Sequence, residues 1–311
     1  MNEKQNSSSA DSLLNKDKNP SNIVPQKFTL DSTITFRCHP GVSCFTQCCG
    51  NITIILTPYD ILRLRKRLQL DAVSFLHTYT EPTFLEKSDM PGVKIRLNDA
   101  HRCPFVREDG CTVYSDRPTA CRYYPVGAAN FHQGGQDNQA EEAFYFLIRE
   151  PHCKGFQEDT TWTIRDWRKD QGVDLYDEMN KRWLELIMRR KSFTTQATLG
   201  ESAKRMFFMA STDLDHFRSF VFESSFLEKY EVAPEILEAI KNDDIALLQF
   251  ALKYLESALF GTEVLKMKQE VLKQKVAEIG RQGENSKENF EARAEAELNA
   301  LKEERNKTRG V

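Results

Sequence analysis

With 311 residues, the chain is long enough for one large or two moderate domains with a real core. A hydrophobic share of 40% beside 29% charged residues is ordinary for a globular protein, and no run approaches the roughly 18 apolar residues of a membrane span. The net charge of −3 argues against a nucleic-acid partner held by bulk attraction to phosphate.

Residues 1–28 are polar, rich in Asn, Ser and Lys, and read as a disordered tail. They hold no apolar stretch and no small-residue cleavage site of a secretory signal, so a cytoplasmic location is expected. Ile34 and Phe36, then the segment 51–56, predict short strands. Thr57 stands as a helix N-cap, with Pro58 at the first helical position and Asp60 in the first turn. The helix that follows carries Ile61, Leu64 and Leu68 on one side and Arg63, Arg65, Lys66 and Arg67 elsewhere. A second short helix starts at Asp71 and carries Val73, Phe75 and Leu76.

Met90-Pro91-Gly92 marks a turn, and Val93, Ile95 and Leu97 alternate with Lys94 and Arg96 as in a half-buried strand. The polar tip ending in Asp109-Gly110 predicts a hairpin between Cys103 and Tyr114. Ser115 or Asp116 is expected to cap a helical turn that begins near Pro118 and carries Cys121. Residues 127–140 read as a loop, and 144–148 as a strand leading to His152-Cys153. Helices dominate from there. Asp174 is expected to cap one with Tyr176, Met179, Trp183 and Ile187 at helical spacing. Asp213, Pro234 and Asp243 open others, and the last of these has Ile245, Leu248, Leu252, Leu255 and Leu259 on one stripe before Gly261 stops it. Residues 262–311 are charged and helix-prone with nearly balanced signs, and Leu265, Leu272 and Ile279 recur every seventh position. This segment reads as a solvated helix or a short coiled-coil arm.

The expected fold class is therefore α+β. A small, irregular cysteine-rich domain with short strands and helices spans 29–160. A helical domain spans 161–261, and a charged helical or disordered tail spans 262–311.

All eight cysteines fall in the first half: Cys38, Cys44, Cys48, Cys49, Cys103, Cys111, Cys121 and Cys153. In a reducing compartment such a set favours metal over disulfides. Thiolates select zinc, copper(I) or iron–sulfur clusters over magnesium or calcium. Eight of them suffice in number for two four-ligand sites. The vicinal pair Cys48-Cys49 is a constraint, because adjacent side chains in extended backbone point to opposite faces. They serve different metals or one multi-atom cluster more easily than a single ion, unless one of them is a buried small apolar residue.

His39, His101 and His152 sit beside cysteines and are read as hydrogen-bonding or surface residues before ligands; His77, His132 and His216 have no such context. Arg117 and Arg122 flank Cys121, either to offset thiolate charge or to pair with carboxylates. Tyr114, Tyr123 and Tyr124 are expected in the core around the site. The chain has no P-loop, no Gly-x-Gly-x-x-Gly after a strand, no Gly-x-Ser-x-Gly elbow, and neither Cys-x-x-Cys nor Cys-x3-Cys-x2-Cys.

Cys44-x3-Cys48-Cys49, Cys103-Pro104-Phe105, Cys111-x-Val113-Tyr114 and Arg117-Pro118-x-x-Cys121-Arg122-x-Tyr124-Pro125 resemble the YkgJ-type cysteine-cluster family. The resemblance runs from about Phe36 to Cys153. It implies zinc or iron chelation, with Cys44, Cys48, Cys49, Cys103, Cys111 and Cys121 as ligands and Cys153 as a further one. Some members of the family are labelled iron–sulfur oxidoreductases, and some proteins of this general kind are linked to modifying other proteins. Two functions follow. One is an iron–sulfur or iron-binding protein with a redox or modification role, and so an enzyme. The other is a structural zinc (Zn2+) module beside a helical half that receives a protein partner.

Overall fold

The computed structural model describes residues 22–24, 26–85, 88–129, 144–192, 199–262, 264–271 and 273. Its strands form four two-stranded antiparallel ladders rather than one sheet. β1 (Thr33–Thr35) pairs with β8 (Thr161–Thr163), β2 (Thr80–Phe84) with β3 (Pro91–Ile95), β4 (Val106–Arg107) with β5 (Gly110–Cys111), and β6 (Val126–Ala129) with β7 (Phe144–Leu147). Helices fill the rest, so the α+β reading holds. No described helix is long and apolar enough to cross a membrane.

Local signals place the helix starts well. α1 (Pro58–Leu68) opens on a full capping box. The Thr57 hydroxyl accepts from the Asp60 N–H at 3.1 Å, and the Asp60 carboxylate accepts from the Thr57 N–H at 3.0 Å. α2 (Ala72–Tyr79) is capped by Asp71. Phe75 is fully buried, whereas Val73 lies 63% exposed and does not join the core.

Two turn expectations are corrected. Met90-Pro91-Gly92 is not a turn: Pro91 and Gly92 belong to β3, and Met90 is fully buried where its carbonyl takes the Leu85 N–H. Proline is tolerated there because it is the first residue of the strand. Ser115 and Asp116 do not cap α3 (Thr119–Tyr123). They form a preceding 3-10 turn, and the N-cap position is Pro118, which offers no side-chain bond. The 127–140 loop reading also shifts, since Gly127, Ala128 and Ala129 pair in β6; 130–140 lies outside the described residues.

The stretch read as tail is partly structured. The Val24 N–H donates to the Leu147 carbonyl, and Phe28, 7% exposed, exchanges backbone bonds with Tyr145. Residues 1–21 and 25 of that tail lie outside the described residues. Segment 51–56 runs extended beside β3 without forming a regular strand: the Leu56 N–H reaches the Val93 carbonyl, and the Ile95 N–H reaches Ile54.

α4 (Ile164–Gln171) ends on Gly172 at φ 65°, and α5 (Val173–Ser192) follows at once. Asp174 is therefore a first-turn residue rather than a cap, and its carboxylate takes Arg168 at 2.6 Å. α6 (Glu201–Thr212), α7 (Leu214–Glu223), α8 (Phe226–Lys229), α9 (Pro234–Asn242) and α10 (Asp244–Phe260) complete the helices. Asp213 and Asp243 cap as expected, Pro234 starts α9, and Gly261 at φ 65° ends α10. α10 is buried on more than one stripe, because Leu247, Phe250, Ala251 and Tyr254 join Leu248, Leu252 and Leu255.

Three apolar clusters form. The largest joins α5–α10 with Tyr59, Leu62, Leu85 and Met90 from the first half. The second gathers Ile54, Leu56, Leu64, Phe75, Val93 and Phe105. The third gathers Phe28, Ile34, Phe36, Tyr145, Ile164 and Trp167. Charge also bridges the halves. Arg65, 7% exposed, reaches Asp215 at 3.1 Å and Asp244 at 3.3 Å, and Asp244 also takes Lys66 and Arg218.

Residues just past Gly261 pair back on the helices. The Glu231 N–H donates to Lys266 and the Lys268 N–H to Lys229, each at 2.9 Å, while the Leu265 N–H reaches the Ser257 hydroxyl. A chain truncated after Lys273 keeps these bonds, and one truncated after Gly261 loses them. Truncation after Gly261 is expected to lower the melting temperature by several degrees, since each net hydrogen bond contributes about 1 kcal/mol. Equal melting temperatures for the two truncated chains would refute this.

Candidate metal centre

Most of the cysteines stand on turns or short elements whose backbone is tied to another cysteine's segment. Cys38 follows Phe36, whose N–H donates to Thr160, and Arg37, whose N–H donates to Gly155 at 3.0 Å. Cys44 is buried, and its sulfur accepts the Lys154 N–H at 3.1 Å, so it lies against the Cys153 segment. Cys48 and Cys49 form a 3-10 turn over Gln47–Cys49, entered through Thr46 at φ 66°. Arg102 holds that left-handed residue by donating to its carbonyl at 3.1 Å and its hydroxyl at 3.2 Å. The Cys49 carbonyl takes the Cys103 N–H at 2.8 Å. The β4–β5 hairpin then sets Cys111 opposite Val106, with Gly110 at φ 127° in the turn. Cys121 lies in α3.

All eight thiols are free in the structure. Cys38 stands at the surface, and the others are buried or half-buried. Partial burial of its sulfur and the facing thiols of Cys48, Cys44 and Cys153 push Cys38 up to about 11. Cys48 and Cys49 share a sulfur hydrogen bond. Cys49 donates and is driven up, while Cys48 accepts and falls to about 7. Burial and the neighbours Cys103, Asp60 and Cys111 raise Cys121. Burial also raises Cys103, Cys111 and Cys153. Opposing it, backbone N–H groups bond their sulfurs: Phe105 and Val106 on Cys103, Val113 on Cys111, and Gly155 on Cys153. Such bonds stabilise the thiolate form that a metal requires.

The histidines take other partners. His39 Nε2 meets Glu158 at 3.0 Å while its Nδ1 accepts from Gly41, and His152 pairs with Glu150 at 3.3 Å. His101 stands exposed in a turn at φ 56°.

Among the described residues, Arg117 and Arg122 pair with no carboxylate. Arg117, 8% exposed, donates to the Tyr114 carbonyl and the Gln171 side chain, each at 2.6 Å. Arg122, 6% exposed, donates to the carbonyls of Arg117, Ser115 and Gln171 and to the Tyr176 hydroxyl. A Cβ at Gly172 would stand 3.2 Å from the Arg122 guanidinium. Tyr114 is not core: it is 58% exposed and carries the Arg117 guanidinium 3.9 Å above its ring. Tyr123 donates to Asp177 at 2.6 Å, and Tyr124 bonds the Cys153 sulfur.

Asp60 is the residue that sequence reasoning placed only as a first-turn acid. Fully buried, it accepts from the Thr119 N–H at 2.8 Å and the Thr119 hydroxyl at 2.7 Å, two residues before Cys121. Asp60 therefore supplies the helix cap that Pro118 cannot. Asn180 donates to the same hydroxyl at 3.3 Å. Nothing local in the sequence announces a bond across 59 positions.

Residues 37–156 match the family model CxxCxxCC, described as "Putative zinc- or iron-chelating domain". The match encloses all eight cysteines. This segment of the chain is similar to that family. No curated protein and no solved structure matches the chain.

The donor set of the chelating domain suits either metal of the family description, since free thiols with N–H bonds on sulfur are ligands for both zinc and iron. Among the described residues, no three Cys, His, Asp or Glu side chains already converge on one point.

Proposed function

We propose that the chelating domain holds iron through its cysteine thiolates, as an iron–sulfur centre with a redox or protein-modifying role. The observation that carries this reading is the apolar core beneath the thiols. A structural zinc module uses metal binding in place of a core, at about 10–16 kcal/mol. Here Leu64 and Phe75 are fully buried and Val93 and Phe105 nearly so, and Cys103, Cys111 and Cys121 pack on that cluster. A shell that folds on its own apolar surface supports a metal kept for its chemistry.

An iron–sulfur centre supplies one-electron transfer when bound. The chain's residues prepare for it. The thiol of Cys49 holds Cys48 toward its thiolate, and Arg102 offsets charge beside Cys48 and Cys103. A backbone N–H bonds the Cys44 sulfur, and at Cys103, Cys111 and Cys153 backbone N–H bonds oppose the upward push of burial. Arg117 lies within charge range of Cys121 and Cys111 with no carboxylate of its own.

The test is metal and acid-labile sulfide analysis with a visible spectrum on anaerobically purified protein. Iron, sulfide and a brown colour are expected, and Cys48→Ser and Cys121→Ser should each at least halve the metal content. Stoichiometric zinc in a colourless protein would overturn the iron reading and move the search for function to the helical half. Unchanged metal in both variants would overturn the ligand assignment.

A further inference from the structure

We infer that the eight cysteines make two separate four-thiolate metal centres, Cys38, Cys44, Cys48 and Cys153 in one and Cys49, Cys103, Cys111 and Cys121 in the other. This deepens the proposed metal binding and rests on it.

Backbone pairing sorts the thiols. The Cys38 and Cys153 segments are tied by Arg37 to Gly155 at 3.0 Å, and the Cys44 sulfur takes the Lys154 N–H at 3.1 Å. Those three thiols therefore share one loop cluster. Cys103 is tied to Cys49 at 2.8 Å, and the hairpin returns Cys111 to the same place. The apolar clusters divide the same way. Cys103, Cys111 and Cys121 pack on the cluster of Leu64 and Phe75, and Cys153 packs on that of Phe36 and Trp167.

The vicinal pair is the boundary. Residues adjacent in a 3-10 turn project about 120° apart. Cys49 lies within charge range of Cys103 and Cys121, whereas Cys48 lies within that of Cys38 and Cys153 and acts on Cys121 more weakly than Cys103 and Cys111 do. Four thiolates are the set that a zinc ion or an iron–sulfur cluster takes. Closure of each set requires the sulfurs to turn about χ1, since among the described residues no three such side chains converge on one point. The two centres are joined by the Cys48–Cys49 peptide, and the S–H···S bond between the two free thiols is given up when both become thiolate ligands.

The experiment is anaerobic cobalt(II) titration of the full-length, metal-free chain, followed through the thiolate-to-cobalt absorption. Two equivalents are expected. Cys153→Ser and Cys111→Ser should each drop the endpoint to one. Cys38→Ser combined with Cys153→Ser should still leave one, and Cys153→Ser with Cys111→Ser should leave none. X-ray absorption on the unmodified chain needs no variant and should give four sulfurs per cobalt at two cobalt per chain. Saturation at one equivalent, abolished by either single variant, would overturn the division while metal binding stands. Absence of any thiolate-bound cobalt would overturn both.

Discussion

Replacing Asp60 by alanine is expected to cost about 3 kcal/mol in mildly acidic buffer, among the larger effects of a single substitution. Its carboxylate accepts from the Thr57 N–H and from both the N–H and the hydroxyl of Thr119. Each buried donor left without a partner costs about 1–3 kcal/mol, partly offset by removing a desolvated acid. Asp60→Asn should fall between, because one oxygen still serves Thr119 while the amide turns a donor toward the Thr57 N–H. Thr119→Val, which removes only the hydroxyl, should cost about 1 kcal/mol.

The effect also has a pH signature. Burial outweighs the hydrogen bonds and lifts the Asp60 carboxyl above its ordinary 3.8. The folded state thus holds this proton more tightly than the unfolded chain. The group's stabilisation is complete below the ordinary value and is lost as pH rises through the raised one. The gap in melting temperature between wild type and Asp60→Ala should narrow with rising pH over that window. A gap that widens with pH would refute the assignment. Because Thr119 precedes Cys121 by two residues, Asp60→Ala should also lower metal content, as Thr119→Val should not.

The second large effect is expected at Arg122. Its guanidinium stacks 4.0 Å from the Tyr176 ring and satisfies the carbonyls of Ser115, Arg117 and Gln171. It joins the Cys121 helix to the α4–α5 junction. Arg122→Met should cost about 3 kcal/mol, because one buried and two part-buried hydrogen bonds to carbonyls are lost together with the stacking on Tyr176, while removal of a buried cation returns part of the cost. Arg122→Lys should recover less than half of this, since an ammonium cannot span the same fork. Denaturant unfolding of the two variants checks the order. Full rescue by lysine would show that the charge matters and the fork does not.

Much of the local structure was legible. Thr57-Pro58-x-Asp60, Asp71, Asp213, Asp243 and Asp109-Gly110 carry their signal within one turn, where a side chain meets backbone two or three residues on. Met90-Pro91-Gly92 misled because proline and glycine also begin strands, and only pairing with β2 decides between the two. Tyr114 misled because an aromatic between cysteines can serve as a platform for a guanidinium instead of filling the core.

The sequence alone pointed to the chemistry: eight thiols confined to one half, with turn-forming neighbours, are candidates for a soft metal, because ligand preference resides in the sulfur atom. Which thiols face one another was left to the tertiary structure. So were the roles of Asp60 in capping α3, of Gln171 in receiving both arginines, and of Asp215 and Asp244 in receiving Arg65. The Arg65 contacts span 150 and 179 positions. Their partners are selected by the joint burial of apolar faces, which brings distant polar groups out of water together and obliges them to bond.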